Sequence, residues 1–249
     1  DGVDNQAPGM NFSLGNFLGA SELDILKVEI IQGASSAYFG PNAFNGVIKM
    51  NTKNPFIHTG LSVQQKFGSR NLSESSIRLA EKFTDKNGED IFAYKMNFSY
   101  MKAHDWEADN LASVDGTDVG ILNPGGYDAV NNYGDEDTDG NLNDVRENPN
   151  LNYFTHPGLG KFLRTGYLEK DIVDYNTKNL KFSSSLHFMV NSKTELMYKF
   201  NYGTGTTVYQ GDNRFSLKGI QFFQNILELK QKDKFFIRAY RSQEDAGNS

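Results

Sequence analysis

The densest chemistry in this sequence lies at Asp135-Glu136-Asp137-Thr138-Asp139-Gly140-Asn141-Leu142-Asn143-Asp144. Oxygen ligands at alternate positions wrap one hard cation, and a glycine after the third carboxylate permits the sharp turn such a loop needs. Asp135, Asp137 and Asp139 are the candidate side-chain ligands for Ca²⁺. Asn141 is a candidate through its carbonyl, and Asn143, Asp144 or Glu147 would complete the shell. The run is not a regular EF-hand. The twelfth position from Asp135 is Arg146, where a bidentate glutamate belongs, and Glu147 comes one later. The competing reading is a solvated acidic loop. From Asp105 to Asn150 the single basic residue is Arg146. Uncompensated, that repulsion works against a packed loop, and a bound divalent ion would offset it.

Other chemistry is sparse. His58, His104, His156 and His187 are scattered and lack zinc spacing. With no cysteine there is no thiolate metal site, thiol nucleophile or disulfide framework. No G-x-S-x-G elbow, P-loop or dinucleotide fingerprint occurs, so an enzyme is not expected. A net charge of −6 without a Lys/Arg block argues against nucleic acid. Trp106, Tyr127, Tyr133, Tyr153 and Phe154 could stack on a sugar or planar ligand. For Trp106, which follows a strand ending near Met101, a membrane-rim anchor is the preferred reading.

The elements that would carry these residues are strands. Mean hydropathy is −0.56, and no stretch of about 18 apolar residues is present, which excludes a transmembrane helix but not a barrel of alternating strands. Glu22–Ile31 predicts a short helical turn leading into a strand at 27–32. Gly33–Gly40 predicts a tight connection or short helix, and Gly46–Asn51 a strand with Val47 and Ile48 in the core. Alternation then takes over. Leu61, Val63, Gln65 and Phe67 share a face; Ile77, Leu79 and Phe83 oppose Arg78, Ala80 and Lys82. In the cleanest strand Phe92, Tyr94, Met96, Phe98 and Tyr100 face one way and Ala93, Lys95, Asn97 and Ser99 the other, towards a wet lumen.

After a long polar region at 104–174, Leu180, Phe182, Leu186 and Phe188 oppose Lys181, Ser183, Ser185 and His187. Leu196, Tyr198, Phe200 and Tyr202 oppose Glu195, Lys199 and Asn201, and strands near 215–229 and 235–240 follow. Short connections at 85–90, 191–193 and 231–234 alternate with longer ones at 104–174 and 203–212, the short turn at 68–71 being the exception. Outer-membrane barrels have short periplasmic turns and longer external loops. About seven strands cannot close a barrel, and no signal-peptide pattern opens the sequence. The expectation is a piece of a longer protein.

Residues 28–55 carry a more specific signal. Glu29, Ile31, Gly33, Ser36, Ala37, Phe39, Gly40, Ala43, Gly46, Val47, Ile48, Met50, Thr52 and Lys53 keep the spacing E-x-I/V-x-G-x-x-S-A-x-Y/F-G-x-x-A-x-x-G-V-I-x-I-x-T-K. This resembles the end of the plug domain of TonB-dependent outer-membrane receptors, in the style of Bacteroidota, with Gly33, Ser36, Gly40 and Gly46 as plug-motif positions. The resemblance implies an all-β fold. Residues 1–58 would be the C-terminal part of a plug, and 59–249 the first strands of a transmembrane antiparallel β-barrel of about 22 strands, with a long extracellular loop near 104–174. It further implies a bacterial outer-membrane location among lipid, nutrient import, and energy from the TonB–ExbB–ExbD complex, contacted through a segment not in this chain. Glycan importers with a surface lipoprotein lid read Y-G-S-R-G-A-N-G-V-I. The departure here, Tyr38-Phe39-Gly40-Pro41-Asn42-Ala43-Phe44-Asn45-Gly46, makes a surface lipoprotein partner the lesser expectation.

Two other readings stay open on sequence: a secreted or surface calcium-stabilised β-rich adhesion domain, and a receptor that signals rather than transports. Calorimetric titration with Ca²⁺ checks the acidic run. Heat is expected from the wild-type protein and its loss in Asp137→Ala and Asp139→Ala; no heat in the wild type ends the calcium reading.

Overall fold

The computed structural model describes residues 1–4, 20–39, 43, 45–112, 121–122, 124, 127, 129–133, 166–210 and 214–248. The chain divides into two compact units, residues 1–105 with 176–249 and residues 106–175.

In the first unit a 3₁₀ turn at Glu22–Asp24 leads into β1 (Ile25–Gln32), α1 (Ser36–Phe39) and β2 (Gly46–Thr52). Strands β1 and β2 form their own antiparallel pair, with Ile31 opposite Val47 and Ile30 opposite Ile48. Gly33 and Gly46 have φ of 85° and 150°. A Cβ on Gly46 would lie 2.8 Å from the Ile31 carbonyl oxygen, so the hairpin closes only around a residue without one. Ser36 opens α1, whereas Gly40 lies outside the described residues. Ile48 is not in a core. It is 68 % exposed and shares its face with Leu26, Val28 and Ile30, also exposed, because among the described residues a two-stranded ribbon has no second layer over that face.

Seven further strands build one antiparallel sheet: β3 (Gly60–Gly68), β4 (Leu72–Thr84), β5 (Asp90–His104), β8 (Asn176–Asn191), β9 (Thr194–Gln210), β10 (Arg214–Gln231) and β11 (Phe235–Asp245). Their order is β11-β10-β9-β8-β5-β4-β3. The register turns the sequence alternation into rows across the sheet. One row reads Val63, Ile77, Phe98, Phe182, Tyr202, Phe223; the neighbouring row on the opposite face reads Ser62, Arg78, Asn97, Ser183, Asn201, Gln224. Rings pair across strands on the first face, with Phe92 and Phe188 4.8 Å apart between centroids and Tyr202 and Phe223 4.9 Å apart.

Burial is inverted relative to a water-soluble sheet. Arg78, Lys95, Asn97, Ser99, Lys181, Ser185, His187, Lys199 and Gln224 are buried, whereas Val63, Phe67, Ile77, Met96, Phe98, Leu186, Phe188 and Leu227 are exposed. The expected wet lumen beside Lys95 and Asn97 is in fact covered: both are 3 % exposed.

The expected long connection at 203–212 is strand. β9 runs to Gln210 and β10 starts at Arg214. Gly203 and Gly205 are buried opposite Lys181 and Asn179, while Thr204 and Thr206 take the other face. β-branched threonines suit a strand, and glycine leaves the long neighbours room. The short-and-long alternation of connections therefore reduces to the single long link at 105–175, the other links being 69–71, 85–89, 192–193, 211–213 and 232–234. The irregular pattern near 215–229 has a local cause, a bulge between Leu217 and Ile220 with Gly219 at φ 63°. The turn at 69–71 places Arg70 and Asn71 at φ 52° and 57°, the twist that two-residue hairpins favour.

In the second unit, β6 (Asn132–Tyr133) pairs with β7 (Tyr167–Leu168), and α2 (Glu169–Ile172) follows. Glu169 is buried, and its carboxylate accepts from the Tyr133 phenol at 2.5 Å and the Tyr175 phenol at 2.8 Å.

In the turn between β4 and β5, the Asp85 carboxylate accepts from the backbone N–H groups of Glu89 and Asn87, each at 2.8 Å. These bonds, the one from Glu89 first, hold its pKa below the usual aspartate range. A depressed carboxyl contributes stability above its unfolded pKa and loses it as pH falls through the folded value. Hydrogen exchange should therefore find the Asn87 and Glu89 amides equally protected from pH 7 to 5 and unprotected in strong acid. Asp85→Ala should lose that protection at every pH.

Candidate functional site

The contact between the N-terminal segment and the seven-stranded sheet holds the concentrated charge of the first unit. The 3₁₀ turn, closed by Asp24 N–H donating to the Ser21 carbonyl at 2.9 Å, ends on Asp24. Because β1 starts there and pairs with the end of β2, Thr52 and Lys53 run alongside, and Lys53 N–H donates to the Asp24 carbonyl at 2.7 Å. The Asp24 side chain meets two cations from the sheet. Arg78 Nε of β4 donates to Oδ1 at 2.9 Å and Lys95 Nζ of β5 to Oδ2 at 2.8 Å, and the three side chains are between 2 and 4 % exposed.

Both cations make further bonds. Lys95 Nζ donates to Thr52 Oγ1 at 2.9 Å and to the Lys53 carbonyl at 2.7 Å, which uses the full set of an ammonium. Arg78 Nη2 donates to the His58 carbonyl at 2.9 Å. The Thr52 hydroxyl in turn donates to Asp1 Oδ2 at 2.8 Å, which also accepts from Lys199 Nζ of β9 at 2.8 Å. A continuous chain Arg78–Asp24–Lys95–Thr52–Asp1–Lys199 results. Farther across the sheet Gln224 Nε2 donates to the Asp4 carbonyl at 3.0 Å and Arg238 Nη1 to the Gly2 carbonyl at 2.7 Å. Lys66 of β3 pairs with Glu22 at 2.5 Å.

A second arrangement lies on β8 and β9. His187 Nδ1 is 2.6 Å from Glu195 Oε1, and Nε2 is 2.9 Å from Ser185 Oγ. The Phe56 ring stands edge-on to the imidazole at 6.1 Å. The order Ser185, His187, Glu195 is that of a hydrolytic relay. Ser185 is 1 % exposed, although it is among the residues that line the open cavity beside the ring. The series fixes the orientation of the ring. An open cavity of about 540 Å³ beside it is lined by Lys49, His187, Glu195, Lys199, Lys230 and Arg238, among others. A small one of about 40 Å³ faces Ser21 Oγ and Asn97 Oδ1, which have no hydrogen-bond partner among the described residues.

The calcium candidates Asp135, Asp137, Asp139, Asn141, Asn143, Asp144 and Glu147 lie outside the described residues, as do Tyr153, Phe154 and His156. Trp106 is half-exposed. Sequence reasoning missed the ionic chain. Its signal was present: Arg78 stands between Ser76 and Ala80, and Lys95 between Ala93 and Asn97. A lone cation among small neighbours on one strand face needs a partner from elsewhere.

No protein-family model matches the chain, and no curated protein matches it.

Removing one partner of a buried ion pair leaves the others uncompensated, at about 3–5 kcal/mol. Asp24→Ala should therefore loosen the N-terminal segment from the sheet by that order, read as faster protease cleavage between residues 53 and 59. Adding Arg78→Met and Lys95→Met to Asp24→Ala should restore much of the resistance, since apolar side chains can replace a buried ion pair. Unchanged cleavage in the single variant would show that the pair holds nothing.

Proposed function

We propose that this chain is part of a TonB-dependent outer-membrane receptor that imports a nutrient by substrate binding and energy-coupled rearrangement of a plug. One observation carries the reading: the sheet exposes its aromatic and aliphatic face and buries its charged face. In water that arrangement forfeits the hydrophobic driving force. In a bilayer it is the required one, because lipid covers the apolar side and the interior is polar. A secreted adhesion sandwich would turn the same faces the other way.

Strand lengths agree with a crossing. β5, β8, β9 and β10 have 15, 16, 17 and 18 residues, more than the roughly 9–11 a tilted membrane strand needs. The order ends at β3 and β11, each with one neighbour. Open edges in lipid are untenable, so this reading requires further strands to close the barrel. The N-terminal ribbon, keyed to the polar face through Asp24 and Asp1, takes the part of the plug. The contacts that key it there are hydrogen bonds and ion pairs, which water can replace when the plug moves.

Two experiments test the proposal. The protein should sediment with the outer membrane, resist alkaline and urea washes, and leave it only in detergent. Phe98→Arg, placing a charge in the apolar row, should cost about 2–4 kcal/mol of insertion and lower the membrane-bound amount, whereas Ser99→Arg on the other face should not act through lipid. For transport, loss of the gene should abolish growth on one limiting nutrient but not in rich medium, and inactivating the inner-membrane energy-coupling complex should reproduce that loss. A protein that dissolves in buffer as a compact monomer ends the proposal.

A further inference from the structure

Lys102 of β5 and Lys178 of β8 stand directly opposite one another in the register. Both are exposed, and both lie on the apolar face, one row beyond Tyr100 and Leu180. Like charges directly opposite across two strands are destabilising. Neither lysine has an ion-pair or hydrogen-bond partner among the described residues. Their row reads Phe67, Ser73, Lys102, Lys178, Thr206, and the next reads Gln65, Ser75, Tyr100, Leu180, Thr204. Over five strands these two rows hold two cations, hydroxyls and an amide, with no carboxylate. The row after them is wholly apolar: Val63, Ile77, Phe98, Phe182, Tyr202.

The pair also stands at a defined height. On β5, Phe92, opposite Phe188, is the last apolar residue of this face before Asp90. From Phe92 to Lys102 is ten residues (102 − 92), about 33 Å along a strand and about 24 Å along the normal at a 45° tilt. An outer-membrane barrel has an apolar band about 25 Å tall. The lysines therefore sit at its rim, where the chain leaves β5 for the long link at 105–175.

We propose that Lys102 and Lys178 form a clamp for the phosphate of a phosphorylated lipid headgroup in the outer leaflet, with Ser73 and Thr206 flanking it and the lipid's acyl chains lying on Tyr100, Leu180, Phe98 and Phe182. A phosphate between the two ammonium groups converts their repulsion into charge-assisted hydrogen bonds. The apolar rows supply the grip that a free anion lacks. This inference rests on the membrane reading of the sheet.

The whole protein, placed in phosphatidylcholine bilayers doped with phosphatidic acid, tests it by native mass spectrometry of the lipids retained. Two interfacial lysines at about 1 kcal/mol each predict about a thirtyfold enrichment of the phosphomonoester lipid over Lys102→Gln/Lys178→Gln. Each single variant should lose about fivefold, which keeps the clamp measurable should the double variant fold poorly. Lys86→Gln/Lys232→Gln, with the same charge change in the turns at the opposite end, should retain the enrichment. Equal retention by wild type and double variant overturns the clamp while leaving the membrane reading intact. So does an equal loss in the turn variant, or full displacement by millimolar inorganic phosphate, which would make it a free-ion site. A protein that does not enter the bilayer overturns both.

Discussion

The structure depends on satisfying a charged face that has been turned away from solvent. Arg78, Lys95 and Lys199 project from three strands onto the side of the sheet that the N-terminal segment covers. Each would be expensive to bury alone, since the effective penalty is several kcal/mol per ion. Asp24 and Asp1 supply two carboxylates against those three cations, and the Thr52 hydroxyl and the backbone carbonyls of Lys53 and His58 accept further bonds from Lys95 and Arg78. The arrangement gives position more than raw stability. A buried pair returns little net energy relative to apolar packing, but it tolerates few alternative placements. Asp24 can meet Arg78 of β4 and Lys95 of β5 together only with the 3₁₀ turn seated against β4.

Position matters because the ribbon's own anchoring is slight. Among the described residues β1 and β2 pair only with each other, and a lone two-stranded hairpin is marginal in water. Gly46 lets it close, and the Lys27–Glu29–Lys49 ion pairs dress one face, where Glu29 is held below its usual pKa by Lys27 and then Lys49. These pairs are solvated and hold little. What fixes the ribbon is the polar key at its base, where Asp24, Thr52 and Lys53 converge.

The sheet was largely legible in the sequence because period-two alternation over ten or more residues has one physical reading. The seven strands, the turns at 69–71, 85–89, 192–193 and 232–234, and the division of Phe92–Tyr100 from Ala93–Ser99 all follow from it. The 203–210 segment was misread because glycine counts as a breaker when taken alone. Here Gly203 and Gly205 are strand residues whose missing side chains make room for Lys181 and Asn179 across the pairing, a fact about the neighbouring strand. The ionic key was hidden for the same reason. Asp24 and Arg78 are 54 residues apart and Asp24 and Lys95 71 apart, and no local pattern couples them. Ile48 was placed in a core because a hydrophobic strand residue normally finds a second layer, which its β1–β2 face lacks among the described residues.

A stopper held by apolar packing and one held by polar keys respond differently to force. Withdrawing an apolar stopper opens dry surface to water, at about 25 cal/mol for each Å² throughout the motion. Withdrawing a polar one exchanges hydrogen bonds for water, at a net of about 1 kcal/mol per ordinary bond, and the costly step is confined to the few buried charges. In the proposed importer the Asp24 cluster is that step. Once Arg78 and Lys95 are wetted they return to the state their side chains prefer in water, and the surface left behind is hydrophilic and ready to line a path. Under that proposal the inverted sheet and the ionic key answer one requirement: the face that would bear a channel must be polar, and a polar face that is closed at rest must be closed by paired charge.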